Sequence, residues 1–135
     1  MATRIPSVQE LLGLVLDRSM RVVRANIGSI MLLDEQGQTL RLVASRGLPD
    51  DVPLGTQLKV GEGIAGRIVE LGEPVLVENI ETDPRFAKIN EPRYGSGSFI
   101  GMPIRVGDHV IGVVNLAKKE YARSLARRPA RLQLH

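Results

Sequence analysis

The sequence contains no cysteine. Disulfide bonds, thiolate metal ligands, cysteine nucleophiles and thioether-linked chromophores are therefore excluded, and the chain suits a reducing compartment. Aromatic residues make up only 3% of the sequence, and tryptophan is absent. Because base stacking on aromatic side chains supplies much of the affinity for single-stranded nucleic acid, this composition argues against such a binding surface.

Long apolar runs are also missing. No stretch approaches the roughly 18 consecutive apolar residues of a membrane span, and the N-terminus lacks the apolar core of a signal peptide. We therefore expect a soluble cytoplasmic chain with no membrane span. Its 135 residues fit one domain.

Groups that could carry catalysis are few and scattered. His109 lies beside a predicted turn and His135 is the last residue, so neither is placed as a metal or haem ligand. The acidic pair Asp50-Asp51 falls in a predicted loop, and the serines near residue 97 have no base close in sequence. We find no catalytic constellation or metal site, and we expect that the chain is not an enzyme.

The net charge of +3 comes from the end of the chain. Residues 118–135 hold six basic residues and one acidic residue, which leaves 12 basic and 14 acidic residues in 1–117. A short basic tail is usually solvated, so we expect no nucleic-acid binding.

The strongest structural signal is a hairpin over residues 98–116. Two runs rich in β-branched residues flank Gly107-Asp108, which predicts a primed turn. The second run is apolar on both faces, so it predicts a strand inside a sheet. Pro103 cannot donate a ladder hydrogen bond and is expected at a bulge or a strand edge.

The N-terminal region predicts a helix that begins after Ser7, with Glu10 completing a capping box, and runs to about Ala25. Its apolar residues form two stripes, wider than one packing face requires. The second stripe contacts either the same helix of a second subunit or, if the helix is deeply buried, its own domain. The stripes are Leu12, Leu16, Met20 and Val23, and Val8, Leu11, Val15 and Val22.

The middle of the chain predicts an antiparallel meander. Strands are expected at residues 27–33, 39–46, 56–60 and 75–77. Gly28 and Ser29 indicate that another element approaches the first of these strands closely.

Residues 61–66 match the pattern G-x-G-x-x-G between a short strand and a predicted helix over 64–71. The pattern, with Glu81 and Asp83 downstream, is typical of a dinucleotide site. A dinucleotide-binding domain needs a series of parallel βαβ units, however, and this chain offers one candidate. The alternative is a tight turn into a helix whose first amides can attract an anionic group.

Residues 78–97 are irregular in pattern, and a loop this long in a small domain is usually a lid or a binding loop. It contains Phe86 and Tyr94. These rings either line a binding site or only anchor the loop to the sheet.

In order and spacing, several motifs together resemble a GAF domain, the small-molecule sensor module of signalling proteins. The match covers about residues 7–117. The resemblance implies an α+β fold of the GAF/PAS-like kind: a six-stranded antiparallel sheet with terminal helices on one face and a lidded pocket on the other. The motifs are Ser29-Ile-Met-Leu-Leu-Asp34, Gly47-Leu48, Gly61-Glu-Gly-Ile-Ala-Gly66, Tyr94-Gly-Ser-Gly-Ser98, the Met-Pro-Ile of 102–104 and Val110-Ile-Gly-Val-Val-Asn-Leu116.

The same resemblance implies a domain over residues 1–117. It leaves 118–135 as a basic tail or a shortened C-terminal helix, because Pro129 ends any helix there.

The resemblance also implies the residues of a ligand pocket. Family members that bind cyclic nucleotides carry Phe followed after three residues by Asp-Glu; here Phe86 is followed by Asn90-Glu91, and Asn offers no charge. The ligand is unknown, with a cyclic nucleotide as one candidate, and no cofactor is expected. The implied ligand-binding residues are Ser29, Ile64, Ala65, Phe86, Asn90, Glu91, Tyr94 and Ser98.

Two functions from different classes follow. The first is a regulatory sensor domain of a signal-transduction protein that binds a small molecule between sheet and lid. It would form a homodimer through its terminal helices and act on an output domain in a larger protein. The second is a dimerisation or protein-interaction module that binds no ligand, with its pocket filled by its own side chains.

Overall fold

The computed structural model describes residues 5–79, 82–86 and 98–118. Within these ranges the chain forms two helices and six strands. In chain order they are α1 (Val8–Val23), β1 (Ile27–Leu33), β2 (Thr39–Arg46), β3 (Gln57–Lys59), α2 (Gly63–Leu71), β4 (Val75–Val77), β5 (Phe99–Val106) and β6 (His109–Ala117).

The strands form one sheet in the order β3-β2-β1-β6-β5-β4, and all neighbouring strands are antiparallel. The predicted six-stranded antiparallel sheet is therefore confirmed. β1 and β6 are its two central strands, as their apolar residues on both faces predicted.

The β5–β6 hairpin closes at Gly107-Asp108, with Val106 opposite His109. Gly107 has φ 61°, so glycine occupies the first central position with positive φ, as in a type II′ turn. Pro103 lies beside the register shift between Ile104 and Arg105. β4 pairs with β5 only as far as Gly101. The missing N–H of Pro103 therefore removes no hydrogen bond between these two strands.

α1 covers one face of the sheet. Ser7 and Glu10 form the predicted capping box, and the helix ends at Val23, two residues before Ala25, because Arg24 adopts a left-handed conformation. Its buried side chains Leu16 and Met20 pack on the sheet. At Gly28 a Cβ would lie 2.7 Å from Met20 Sδ, which shows that α1 is the element for which this glycine makes room.

α2 covers the opposite face, where the larger apolar cluster lies. Ile64, Ala65 and Ile68 are buried there against residues of β1, β2, β4, β5 and β6. Ile68 lies directly over Gly101, and a Cβ at Gly101 would overlap Ile68 Cδ1. Gly101 therefore sets how closely α2 approaches the sheet.

Residues 82–86 follow β4, and an ion pair joins Asp83 to Arg85 within this segment. The Asp83 carboxylate accepts from Arg85 Nη2 at 2.8 Å, from Arg85 Nε at 3.0 Å and from the Arg85 backbone amide at 2.9 Å. These bonds, led by the guanidinium hydrogen bonds, lower the pKa of Asp83 below its ordinary value of 3.8. The next residue, Phe86, is completely buried.

The contact of α2 with Gly101 predicts a coupled pair of variants. Gly101→Ala overpacks the site and should lower the free energy of unfolding by about 1–3 kcal/mol. Ile68→Val removes the overlapping methyl and alone should cost about 0.5–1.5 kcal/mol. In the double variant, the loss in the free energy of unfolding should be smaller than the sum of the two single losses. Urea unfolding of all four proteins measures this. Additive losses would contradict this packing.

The Asp83–Arg85 pair predicts a pH-dependent contribution to stability. Because the folded-state pKa of Asp83 is lowered, wild type should exceed Asp83→Asn in stability above the ordinary carboxyl pKa. The difference should disappear as pH falls through the folded-state pKa. Thermal unfolding of both proteins between pH 7 and pH 2 measures this, and a pH-independent difference would show that the carboxylate charge is not the cause.

Candidate functional site

The face of the sheet beneath α2 carries a polar pair at its centre. Ser29 of β1 and Asn115 of β6 are register partners, with 3% and 7% of their surface exposed. They are the two buried polar side chains of the described residues. The residues two positions before and after them, on the same face of the sheet, are apolar members of the α2 cluster: Ile27, Met31, Val113 and Ala117.

The Asn115 side chain points into the space between the sheet and α2. A Cβ at Gly101 would lie 3.0 Å from Asn115 Oδ1 while overlapping Ile68, so the oxygen lies beside Ile68 above Gly101. Among the described residues, Oδ1 has no hydrogen-bond partner. An unpaired buried acceptor costs about 1–3 kcal/mol, and a ligand that donates a hydrogen bond would remove this cost.

The glycines at the start of α2 have structural roles. Gly61 and Gly63 have φ values of 92° and 61°. A Cβ at Gly66 would lie 2.6 Å from the Lys59 carbonyl oxygen. The strands before and after α2 are β3 and β4, which lie at opposite edges of an antiparallel sheet. The tight-turn alternative therefore accounts for the G-x-G-x-x-G pattern, because a dinucleotide fold would place these strands parallel in βαβ units.

Four of the sequence-predicted site residues lie on this face. Ser29 is on the floor of the face, Ile64 and Ala65 lie in the first turn of α2, and Phe86 is buried in the same apolar cluster. The Phe86 ring packs edge-on against Phe99 with centroids 5.3 Å apart, and the Arg85 guanidinium carbon lies 5.7 Å from its centroid. These contacts support the interpretation of Phe86 as the anchor of its segment.

The other predicted residues are placed elsewhere or are not described. Ser98 precedes β5 and lines a groove of about 220 Å³ with Val23, Leu76 and Ile100. Leu76 and Ile100 are register partners next to Leu116, which packs on the α1 side of the sheet. Asn90, Glu91 and Tyr94 lie outside the described residues, so their roles stay predictions.

A larger groove of about 500 Å³ lies between α1 and β2. Asp17 and Arg46 form a salt bridge of 2.8 Å in its wall, and both side chains are about half exposed. Gly13 of α1 makes room for the arginine, since a Cβ there would lie 2.9 Å from Arg46 Nη2. An exposed pair of this kind links α1 to β2 and contributes little to stability, and it does not indicate a ligand.

Neither a metal site nor a membrane helix is found in the described ranges. Across residues 5–79, 82–86 and 98–118, no group of three or more His, Asp or Glu side chains could hold a metal ion. In the same ranges, no helix has the length and apolar character needed to cross a membrane.

Asn115 was missed as a site residue by the sequence analysis. The signal was present: an amide stands in a run of apolar residues, 110–117, that is expected to be buried on both faces. A buried amide needs hydrogen-bond partners, and neighbouring apolar side chains cannot provide them.

Comparison with known proteins identifies the family. The chain matches the family model described as "GAF domain" over residues 6–128. It is 28% identical to the GAF domain of a phosphoenolpyruvate-protein phosphotransferase from Acinetobacter, with a TM-score of 0.69, covering 87% of this chain and 73% of that one. It is 25% identical to the A. aeolicus nlh2 GAF domain, solved in an inactive state, with a TM-score of 0.64, covering 90% and 77%.

Curated relatives are bacterial regulators of nitrogen fixation. The chain is 33% identical over 93 residues to the Nif-specific regulatory protein of Azospirillum lipoferum, covering 66% of this chain and 15% of that protein. It is 33% identical over 117 residues to the nitrogen fixation protein VnfA of Azotobacter vinelandii, covering 82% and 22%. The chain thus spans less than a quarter of the length of these two proteins and is homologous to their regulatory domains. The family match, together with the antiparallel sheet and its two covering helices, establishes that this chain belongs to the GAF domain family.

Proposed function

We propose that this GAF domain is a ligand-binding sensor and that a small molecule binds between the α2 face of the sheet and the residues that follow Val77. The observation that carries the proposal is Asn115: its Oδ1 is buried, points into this space and has no partner in the described part of the chain. A binding site that is apolar with a few converging polar groups is the usual form of a small-molecule site.

The chemistry of this face favours one class of ligand. The ligand presents an N–H or O–H donor to Asn115 Oδ1, next to the hydroxyl of Ser29, and an apolar or planar body to Ile64 and Ala65. A cyclic nucleotide is a candidate because purine edges carry N–H donors. Asn90, Glu91 and Tyr94, which the sequence resemblance adds, would complete the site from the lid.

The sensor acts, in this proposal, inside a larger cytoplasmic regulator. The relatives are regulatory proteins of which this chain corresponds to 15% to 22%, so room for an output domain exists in proteins of this kind. The domain itself performs no reaction. Ligand binding shifts the domain between two arrangements of its terminal helices, paired in a homodimer, by binding one arrangement more tightly.

One observation favours the alternative of an interaction module that binds no ligand. Phe86 and Ile68 are fully buried and occupy this face with side chains of the domain itself. Under this alternative the Asn115 amide is a tolerated defect in a packed core, and no small molecule enters.

Replacing Asn115 by the isosteric Leu separates ligand binding from stability. Since Leu removes an unpaired acceptor, we expect Asn115→Leu to raise the free energy of unfolding of the ligand-free protein by about 1 kcal/mol. Urea unfolding measures the change, with Gln36→Leu in the exposed β1–β2 turn as control. A loss of several kcal/mol would show that the amide is a structural group with partners of its own.

Calorimetric titration tests the binding proposal directly, using cyclic AMP, cyclic GMP and a panel of nucleobase and amide metabolites. We expect saturable binding of at least one probe by wild type and Gln36→Leu, and at least tenfold weaker binding by Asn115→Leu. Phe86→Ala is unsuitable, because emptying this buried position should cost about 3–5 kcal/mol. No heat with any probe, together with an unchanged melting temperature, would favour the interaction module.

A further inference from the structure

One side-chain hydrogen bond joins α2 to the segment that follows β4. Arg67, in the middle of α2, donates from Nε to the backbone carbonyl oxygen of Arg85 at 3.2 Å, across 18 positions of sequence. The first turn of α2 carries Ile64 and Ala65, and the residue after Arg85 is Phe86. The bond therefore links the two parts of the chain that bring Ile64, Ala65 and Phe86 into one apolar cluster.

Arg67 holds this carbonyl oxygen while another of its nitrogens is bound within α2. Nη1 donates to Glu70 Oε1, one turn further along the helix, at 3.0 Å. The Glu70 carboxylate lies against the turn that leads into the helix, since a Cβ at Gly61 would be 3.1 Å from Oε2. One guanidinium can serve both acceptors because its N–H groups form a rigid planar fork. The Arg67 side chain thus bridges α2 to a main-chain atom of the other segment.

The main chain around Arg85 is fixed from two sides. Arg85 Nη2 donates to the carbonyl oxygen of Leu76, in the edge strand β4, at 3.4 Å, while the same guanidinium binds Asp83. From α2, Arg67 holds the Arg85 carbonyl oxygen. The next amide, that of Phe86, donates to the Asp83 carbonyl oxygen at 3.0 Å. Phe86 therefore follows a stretch of main chain that is attached to both β4 and α2.

The Phe86 ring depends on this attachment because the space around the ring is filled. The ring is completely buried and packs edge-on against Phe99, the first residue of β5. Protein interiors are close-packed, so a shift of the Arg85 main chain must move the ring or strain it. The position of Phe86 in the apolar cluster is thus set in part from α2.

We propose that Arg67 is a positioning residue of the candidate ligand site. By holding the Arg85 carbonyl oxygen, it fixes Phe86 relative to the first turn of α2, so that α2 and residues 82–86 move as one unit. Arg67 itself touches no ligand. The inference rests on the proposed function for its role in binding. It deepens that function by naming the contact through which a ligand that displaces α2 would carry Phe86 with it.

Two substitutions at position 67 separate the bond to the carbonyl oxygen from the ion pair. Gln carries an N–H donor at the same distance along the side chain as Arg Nε, whereas Met has no donor. Both lose the ion pair with Glu70, and both match Arg in helix propensity. In the ligand-free protein, hydrogen exchange of the Phe86 amide, measured by NMR, should be roughly fivefold or more faster in Arg67→Met than in wild type. In Arg67→Gln it should stay within about twofold of wild type.

The aromatic proton shifts of Phe86 and Phe99 report the position of the ring, because the two rings are in contact. They should change in Arg67→Met and return toward wild type in Arg67→Gln. The Ala25 amide, which donates to the Met20 carbonyl oxygen on the opposite face of the sheet, is the reference and should keep its exchange rate in both variants. Equal effects of the two variants, or Phe86 signals that are unchanged in Arg67→Met, would overturn the proposal.

Calorimetry of the same variants connects the contact to binding, with cyclic AMP, cyclic GMP and the panel of nucleobase and amide metabolites as probes. A probe that binds wild type should bind Arg67→Met roughly fivefold or more weakly and Arg67→Gln about as tightly as wild type. Unchanged affinity in Arg67→Met would overturn the role of Arg67 at the ligand site. If wild type binds no probe, the sensor proposal fails separately, and the exchange rates and ring shifts alone decide whether Arg67 positions Phe86.

Discussion

The arrangement of this domain depends on the burial of its two central strands on both faces. β1 and β6 are apolar on each side, so neither face of the sheet can be left to water. α1 covers one face over Gly28, and α2 covers the other over Gly101. At each contact a glycine allows the helix to come closer than a side chain would permit. β2 and β5 pair with the outer sides of β1 and β6, and the short strands β3 and β4 form the two edges of the sheet.

Within this apolar frame, one face departs from the rule that cores are apolar or fully hydrogen-bonded. Ser29 and Asn115 lie opposite each other at the middle of the sheet, and the amide oxygen of Asn115 has no partner in the described part of the domain. Such a group lowers stability unless something else compensates for it. In the proposed function, a ligand that supplies the missing donor compensates for this defect and links it to sensing. The other face is covered by α1, whose Leu16 and Met20 pack on the sheet.

Much of the fold could be predicted from the sequence because its signals are local. The capping box at Ser7 and Glu10, the Gly107 turn and the apolar runs each specify one element, and the helix, hairpin and interior strands are found where expected. The two stripes of α1 were predicted, but the sequence did not tell which would face the sheet. That choice depends on the position of Gly28 relative to Leu16 and Met20, which is a tertiary property.

The site was less predictable for the same reason. The family resemblance placed four described residues at one pocket: Ser29, Ile64, Ala65 and Phe86. In the structure Ile64, Ala65 and Phe86 belong to the apolar cluster around α2, and Ser29 is buried in the face of the sheet beneath α2. The importance of Asn115 depends on cross-strand pairing with Ser29 and on the position of Ile68, neither of which a linear pattern contains. The role of Phe86 depends on its packing against Phe99, more than 10 residues away.

The central claim is that the Asn115 oxygen is completed by a bound small molecule, and the most direct measurement is the carbon-13 shift of the Asn115 side-chain carbonyl. The labelled protein would be titrated with the small-molecule fraction of a bacterial extract. The account predicts a saturable shift in the direction of a carbonyl that gains a hydrogen bond, accompanied by shifts at Ser29 and Ile68. A carbonyl resonance that stays constant at every concentration, while the protein remains folded, would contradict it.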